Sequence, residues 1–417
     1  MKSPFALCAS RDRSCIRLIF AALCASACVS TRAAPQAGLQ SLLRQAEAAE
    51  AKENYPQAER LYRRALTVAS NDQETLKRLG LVYQKEMKID ESLQAFQRVL
   101  KAAPQFPEVN LFEGISYLAK QNFARAIESF ERELGTPEPH PQSHYYLGLA
   151  LGSSGRTDEA MAELNRALQK NPTDLDALYQ LIHLYNDEAE TELKQAAQGN
   201  PEDASRLTKL ARQHDEAARK TMEQLKQAGP DSFQYHALMG EGYSEAQRSV
   251  EALREYRAAL AKRPHALGLH YSIGESLWAQ GLDDEAAPEF QKALRENPND
   301  PRTNLYLAGI AVRQQRFQEA LSFLAIVQKN ETGLHTMTKP VVQLLLGKCY
   351  LELKNFEKAK AELLLTVEAN PEDSEAHYLL ARVYRKLGDE QARARELELF
   401  RTLKKTDNAE RMARRKP

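Results

Sequence analysis

The sequence predicts an all-α chain: an α-solenoid of about ten antiparallel helix pairs, one of them expanded. Three observations predict it. A pattern of small and bulky residues returns roughly every 34 residues through Gly80, Gly114 and Gly148. Tyr83, Tyr117 and Leu151 follow three places behind these glycines, Ser92, Ala126 and Ala160 twelve behind, and Phe96, Phe130 and Leu164 sixteen behind. Proline closes two of the units, at Pro104 and Pro172. The composition of the 417 residues, 43% hydrophobic and 27% charged, suits a soluble and mostly helical chain.

Each feature has a physical reading. A glycine on the contact line lets two helices approach closely. The small second-helix residue and the bulky one a turn later share one helical face. Proline cannot continue the hydrogen-bond ladder, so it ends the second helix and turns the chain. A lone pair leaves an apolar face open, and the next pair covers it. The period and the order of residue sizes resemble the tetratricopeptide repeat (TPR) family, in which each unit is a helix–turn–helix. The resemblance implies a protein-binding scaffold, of an exported bacterial type, in which first helices line a concave groove.

Residues 1–34 differ from the rest. Lys2, Arg11, Arg13 and Arg17 precede an apolar run at residues 18–29, and small residues follow to Ala34. A basic start, a short apolar run and a small-residue exit read as a secretory signal peptide. Twelve apolar residues are few for a membrane span, which needs about 20. Thr31-Arg32-Ala33 offers a cleavage context, and Ala25-Ser26-Ala27-Cys28 matches part of the lipoprotein pattern, with Ala25 where leucine is usual. An exported chain, periplasmic or secreted, is expected, with lipidation or membrane anchoring at Cys28 as the alternative. Four of the five cysteines lie in this leader. The fifth, Cys349, cannot staple a fold alone and reads as a buried apolar residue.

Residues 35–174 carry the N-terminal units. The first, about residues 39–72, has Ala46 at the glycine position and Ala58, Tyr62 and Ala65 on its second helix. Clean units begin near Gln73, Pro107 and Pro141. Residues 175–230 form an expanded unit: Leu178, Leu181, Ile182 and Tyr185 keep phase, but the second-helix landmarks Ala218, Met222, Leu225 and Pro230 arrive late. Helical spacing runs on through Ala189, Leu193 and Ala196, breaks at Gly199-Asn200-Pro201, and resumes through Leu207, Leu210 and His214. One hairpin is therefore predicted, with both helices longer by about 12 residues, or ~18 Å. Residues 190–213 would serve as a spacer or as a docking arm.

Residues 231–405 return to the period, with Gly240 and Gly274, Ala252 and Ala286, and Pro264 and Pro298 in place. Ala308 then takes the glycine position, and about five extra residues within 331–339 lengthen the next exit. Two further units carry Gly347, Tyr350 and Ala359, then Ala381 and Tyr384. Arg393 replaces the last second-helix alanine, so residues 391–403 are expected to cap the stack. Residues 406–417 form a basic tail expected to fray. Without the leader the chain holds 52 basic and 56 acidic residues, yet residues 401–417 hold seven basic and two acidic. That tail has no aromatic residue, so no nucleic-acid partner is expected.

Catalytic chemistry finds no constellation. His144, His236, His270 and His377 share one slot, four places before the small first-helix residue, and read as packing at repeat boundaries. His140 and His144 are separated by a proline and lack the glutamate of a zincin. Gly148, Gly152 and Gly155 match neither phosphate-loop spacing, and no nucleophile elbow occurs. Asp283-Asp284 and Glu372-Asp373 fall at helix starts, where acids favour the dipole. No metal, cofactor or enzymatic activity is expected.

What the resemblance implies is a groove. Carried onto this sequence, its partner-facing positions are Leu111, Ile115, Leu118, Tyr145, Leu149, Tyr179, His183, Asn186 and Asp187, then Glu241 and Glu245, then Tyr271, Glu275 and Trp278, and lastly Arg302, Arg313, Arg382, Arg385 and Lys386. They grade from apolar through acidic to basic. Lys77 is present but Leu81 follows, so the chaperone-type carboxylate clamp is not expected. The expected function is non-enzymatic binding of extended or helical segments of other proteins. The alternative is a membrane-anchored subunit of an envelope, secretion or outer-membrane assembly, docking through the long hairpin.

Overall fold

A computed structural model describes residues 38–330 and 339–414. The leader with Cys28, the lengthened exit at residues 331–338 and the last three residues lie outside that range. Within it the secondary structure is helical, with 20 α-helices and no strand among the described residues. Two compact units divide the chain at Ala228 and Gly229.

The first unit comprises five hairpins. Helix α1 (residues 38–50) pairs with α2 (Tyr55–Val68), α3 (Gln73–Lys85) with α4 (Ile89–Ala102), and α5 (Val109–Ala119) with α6 (Phe123–Leu134). Next, α7 (Ser143–Ser153) pairs with α8 (Thr157–Lys170), and α9 (Leu175–Gln198) with α10 (Pro201–Ala228). The second unit holds α11 (Phe233–Glu245) with α12 (Ser249–Lys262), α13 (Leu269–Ala279) with α14 (Asp283–Glu296), and α15 (Pro301–Arg313) with α16 (Phe317–Lys329). It ends with α17 (Lys339–Glu352) against α18 (Phe356–Ala369) and α19 (Ser374–Leu387) against α20 (Glu390–Arg414). In each unit, helices pack on their hairpin partner and on the next hairpin, as a stack requires.

Local signals explain the helix starts. Asp72 accepts a hydrogen bond from the Thr75 amide and Asp300 one from the Thr303 amide, both at 2.9 Å, closing the free N–H groups of α3 and α15. The first-to-second helix turns are less expected. At nine of them one residue stands in the left-handed region, yet glycine fills only Gly155, Gly281 and Gly388. Glu53, Met87, Gln121, Gln247, Gln315 and Lys354 fill the others, with φ between 56° and 63°. The amide after each reaches back over the turn, as Lys88 N–H does to the Tyr83 carbonyl at 2.8 Å, so the strain is offset by closing the helix end.

The core repeats as predicted. A Cβ added at Gly80, Gly114, Gly148, Gly240, Gly274 or Gly347 would come within 3.0 Å of Phe96, Phe130, Leu164, Tyr256, Phe290 or Leu363 respectively. In three places the ring beneath the glycine then stacks on an aromatic of the next first helix. These are Phe96 on Phe112, Phe130 on Tyr146 and Phe290 on Tyr306, at 6.2, 5.9 and 4.9 Å between centroids.

The expanded hairpin exists as expected, with helices of 24 and 28 residues where their neighbours have 11 to 14. Its seam buries Ala211, Ala218 and Leu225, and also a carboxylate: Glu192 is 6% exposed, 3.2 Å from His214 Nδ1. The final helix departs from expectation. It continues to Arg414, so most of the segment expected to fray is helical.

Candidate functional site

Histidine chemistry resolves first. Each slot histidine turns Nδ1 to a glutamate 19 residues later on its own second helix: His144 to Glu163, His236 to Glu255, His270 to Glu289 and His377 to Glu396, at 2.6 to 2.8 Å. These pairs clasp single hairpins and do not converge. Burial opposes ionisation of Glu255 and Glu289, but hydrogen bonds from His236 and Arg254, and from Lys292 and His270, hold both carboxyls below their ordinary value. Glu362 occupies the same position where the slot holds Gln343, and burial pushes its carboxyl up. No group of three or more His, Cys, Asp or Glu that could hold a metal occurs among the described residues. Burial pushes the Cys349 thiol up to about 11, so it is inert at neutral pH.

The remaining candidate is the set of first-helix faces. In the first unit, the residue after the small first-helix position is the exposed Glu47 on α1, and from there on Leu81, Ile115, Leu149 and His183, each half-buried. Tyr145 stands edge-on to Tyr146 at 5.1 Å, and Tyr179 edge-on to His183 at 4.5 Å. Burial pushes the His183 imidazole down, against the pull of Asp187, so the ring is neutral at neutral pH. From Leu81 to His183 the ladder therefore carries no formal charge. Leu118 is half-buried beside it, but Leu111 does not belong: it is 1% exposed and packed among Ala126, Phe130 and Leu147. Its place on the first helix turns it inward, where a partner could reach it only by opening the core.

In the second unit the same position reads Glu241, Glu275, Gly309, Lys348 and Arg382. Most of these charges, and those beside them, are tied into neighbouring hairpins. Glu275 accepts the Tyr306 hydroxyl at 2.7 Å and the Tyr271 hydroxyl at 3.4 Å, and burial with the Glu275 charge drives both phenols well above their ordinary value. Arg313 forks onto Asp283 at 2.5 and 2.7 Å and lies 5.5 Å above the Trp278 ring. Arg302 lies 4.8 Å above Tyr271. Lys348 meets Glu375 at 2.7 Å and Arg382 meets Glu352 at 2.8 Å.

Tyr271, Glu275, Trp278, Arg302 and Arg313 thus converge, and Tyr306, which sequence reasoning missed, joins them. Its spacing of 16 from Phe290, shared with Phe96–Phe112 and Phe130–Tyr146, was the available signal. Glu245, Arg385 and Lys386 are exposed and stand apart from that cluster. Asp283-Asp284, read as helix-start acids, also bind the next first helix through Arg313 and Gln314.

Comparison with known proteins follows the same lines. One tetratricopeptide repeat family model matches residues 43–107, 77–143, 111–174 and 238–301, and a second matches 277–333 and 337–383. Among solved structures the chain is similar to pilF of Pseudomonas aeruginosa, at 18% identity over 58% of this chain and 96% of that one, TM-score 0.42. It is similar also to yeast Tom70, at 13% identity over 89% and 97%, TM-score 0.34. MamA of Desulfovibrio magneticus RS-1 is similar at 18% identity over 42% and 96%, TM-score 0.37. No curated protein matches.

Proposed function

The chain belongs to the tetratricopeptide repeat family, and from that membership we propose a non-enzymatic scaffold that holds segments of partner proteins on its first-helix faces. The observation that carries this reading is the ladder Leu81, Ile115, Leu149 and His183: uncharged, half-buried side chains recurring at one repeat position, with Leu81 and Ile115 packed at the edge of the core. Such a ladder suits the apolar side of an extended or helical segment. The second unit offers an aromatic and charged face instead, with Trp278 still 36% exposed. A partner there must compete with Arg313 and Arg302 for the rings.

Co-purification from the native host tests the reading, comparing the wild type with Leu81→Asp combined with Leu149→Asp. Loss of a partner by a variant that keeps its helical circular dichroism supports the ladder. Equal recovery of every partner would retire it.

We infer further that the chain is exported by the leader at residues 1–34, and that Cys28 is the anchoring point if the membrane-assembly reading holds. No described helix is long and apolar enough to cross a membrane. Intact mass of the protein from its host decides between cleavage past Ala34 and a lipid-bearing Cys28.

A further inference from the structure

Glu163, Glu255 and Glu289, all withdrawn from solvent, each pair with a histidine and with an arginine or lysine. Glu275 is half-buried as well, but among the described residues it forms no ion pair. Its carboxylate accepts only the Tyr306 and Tyr271 hydroxyls, at 2.7 and 3.4 Å. Glu241 holds the same repeat position one hairpin earlier. Three phenols feel the two charges. Burial, and next the Glu241 charge, pushes Tyr256 up to about 12, with Glu275 adding to it. Burial with Glu275 raises Tyr271 and Tyr306. Asp283 and Asp300 offset Arg313 and Arg302, so Glu241 and Glu275 set the sign of this face. It is negative where its rings stand.

Those rings meet at steep angles. Tyr306 lies edge-on to Trp278 at 5.0 Å and to Tyr271 at 6.0 Å, and Trp278 is 36% exposed. One turn beyond Tyr306 the ladder loses its side chain: the Cβ direction of Gly309 meets nothing within 4 Å, which leaves room for a partner backbone. The fold itself shows what the rings accept. Arg313 lies over Trp278 while forked onto Asp283, and Arg302 lies over Tyr271.

We propose that this face receives an arginine of a partner segment, its guanidinium against Trp278 and the Glu275 carboxylate and its backbone over Gly309. The inference rests on the scaffold reading and names the chemistry that the second unit selects. A guanidinium is flat and weakly hydrated, so it stacks on a ring while forking onto a carboxylate; an ammonium offers only a point charge. Arg313 is no bar, because exposed pairs such as its own with Asp283 exchange at little cost. The half-buried Glu275 is screened less by water and holds a cation more firmly.

The test uses Trp278, the chain's single tryptophan, as its own reporter. The full chain is titrated with a dodecapeptide of alternating arginine and alanine, then with peptides carrying lysine or citrulline in place of arginine. Tryptophan fluorescence should saturate with the arginine peptide, several-fold more weakly with lysine, and at least tenfold more weakly with uncharged citrulline. Glu241→Gln combined with Glu275→Gln keeps acceptors for the phenols and should weaken the arginine peptide at least tenfold, with helical circular dichroism unchanged. Glu357→Gln combined with Glu368→Gln removes the same charge from the exposed face of α18 and should leave the affinity within twofold. Lysine or citrulline bound as tightly as arginine overturns the proposal. So does an equal loss in both double variants, or no saturation at millimolar peptide. The co-purification above reads the other unit: partners lost there while this titration fails would remove the arginine site and leave the scaffold reading standing.

Discussion

The two units bury the same core and show different faces. Beneath Ile115 and beneath Glu275 lies the same joint, Gly114 on Phe130 and Gly274 on Phe290, each ring stacked on the next first helix. One place past the small residue, the first unit shows an uncharged ladder from Leu81 on, and the second mostly charges, of which Glu275, Lys348 and Arg382 are fastened between hairpins. The residues that lock each hairpin and the half-buried residue one place further on thus vary separately along the repeat, and the second can change while the first stays.

The largest expected effect strikes what the units share. Gly114→Val and Gly274→Val each force a side chain into a buried ring, and each should lower stability by about 3 kcal/mol after the gain in helix propensity is counted. Urea midpoints measure it. Similar losses in both units uphold the common core; a loss in one unit alone breaks the comparison. A control sits two places from Gly240: the Gly242 Cβ direction is open, so Gly242→Ala should gain about 0.7 kcal/mol while Gly240→Ala loses stability against the Tyr256 ring.

Exchanging the faces should disturb less. Ile115→Glu gives the first unit the residue that the second holds at Glu275. Ile115 is only half-buried, so about 1.5 kcal/mol is expected, with helicity retained. A loss as large as that of Gly114→Val would mean that the face and the core are not separate.

Within the second unit, Gln343→His should complete the missing clasp to Glu362 and gain about 1 kcal/mol. The pH dependence carries the sign. The Glu362 carboxyl lies above its ordinary value, so the native state holds the extra proton, and stability falls as pH rises through that raised pKa. Glu255 and Glu289 lie below theirs. The native state there favours the ionised form, with stability present above the ordinary carboxylate value and lost as pH falls through the lowered pKa. The substitution should move Glu362 from the first behaviour to the second. An NMR titration of its carboxyl reads the shift directly, and an unmoved midpoint would show that the clasp needs more than the histidine.

How much of this was legible follows from which features repeat in residue type. Glycine, alanine and phenylalanine at fixed spacing placed the hairpins, and the late landmarks after Leu178 revealed the long pair before its helices were seen. The slot histidines read as packing residues, but their glutamates on the second helices went unread because two helix faces must be superposed to bring them together. The first-helix faces were legible as sets of positions, not as contacts. Arg382 faces Glu352 at a spacing of 30, a product of hairpin rotation that no single-helix pattern shows. Leu111 misled because its apolar type suits a groove and a core equally.

The turns give the smallest prediction. Seven places past the small position, every first helix outside the expanded hairpin closes on a left-handed residue; the first unit spends glycine there at Gly155, the second at Gly281 and Gly388. Met87 fills that position with φ of 59° and is 75% exposed, so its side chain returns little packing for the strain. Met87→Gly should relieve the Cβ clash against the greater chain entropy of glycine, leaving a net gain of about 0.5 kcal/mol. Gly155→Ala should lose about 1 kcal/mol, because it imposes the same strain on a turn now free of it. Thermal midpoints of the two variants should move in opposite directions; a shift of Met87→Gly downward would mean that the turn is held by its side chain and not by its backbone.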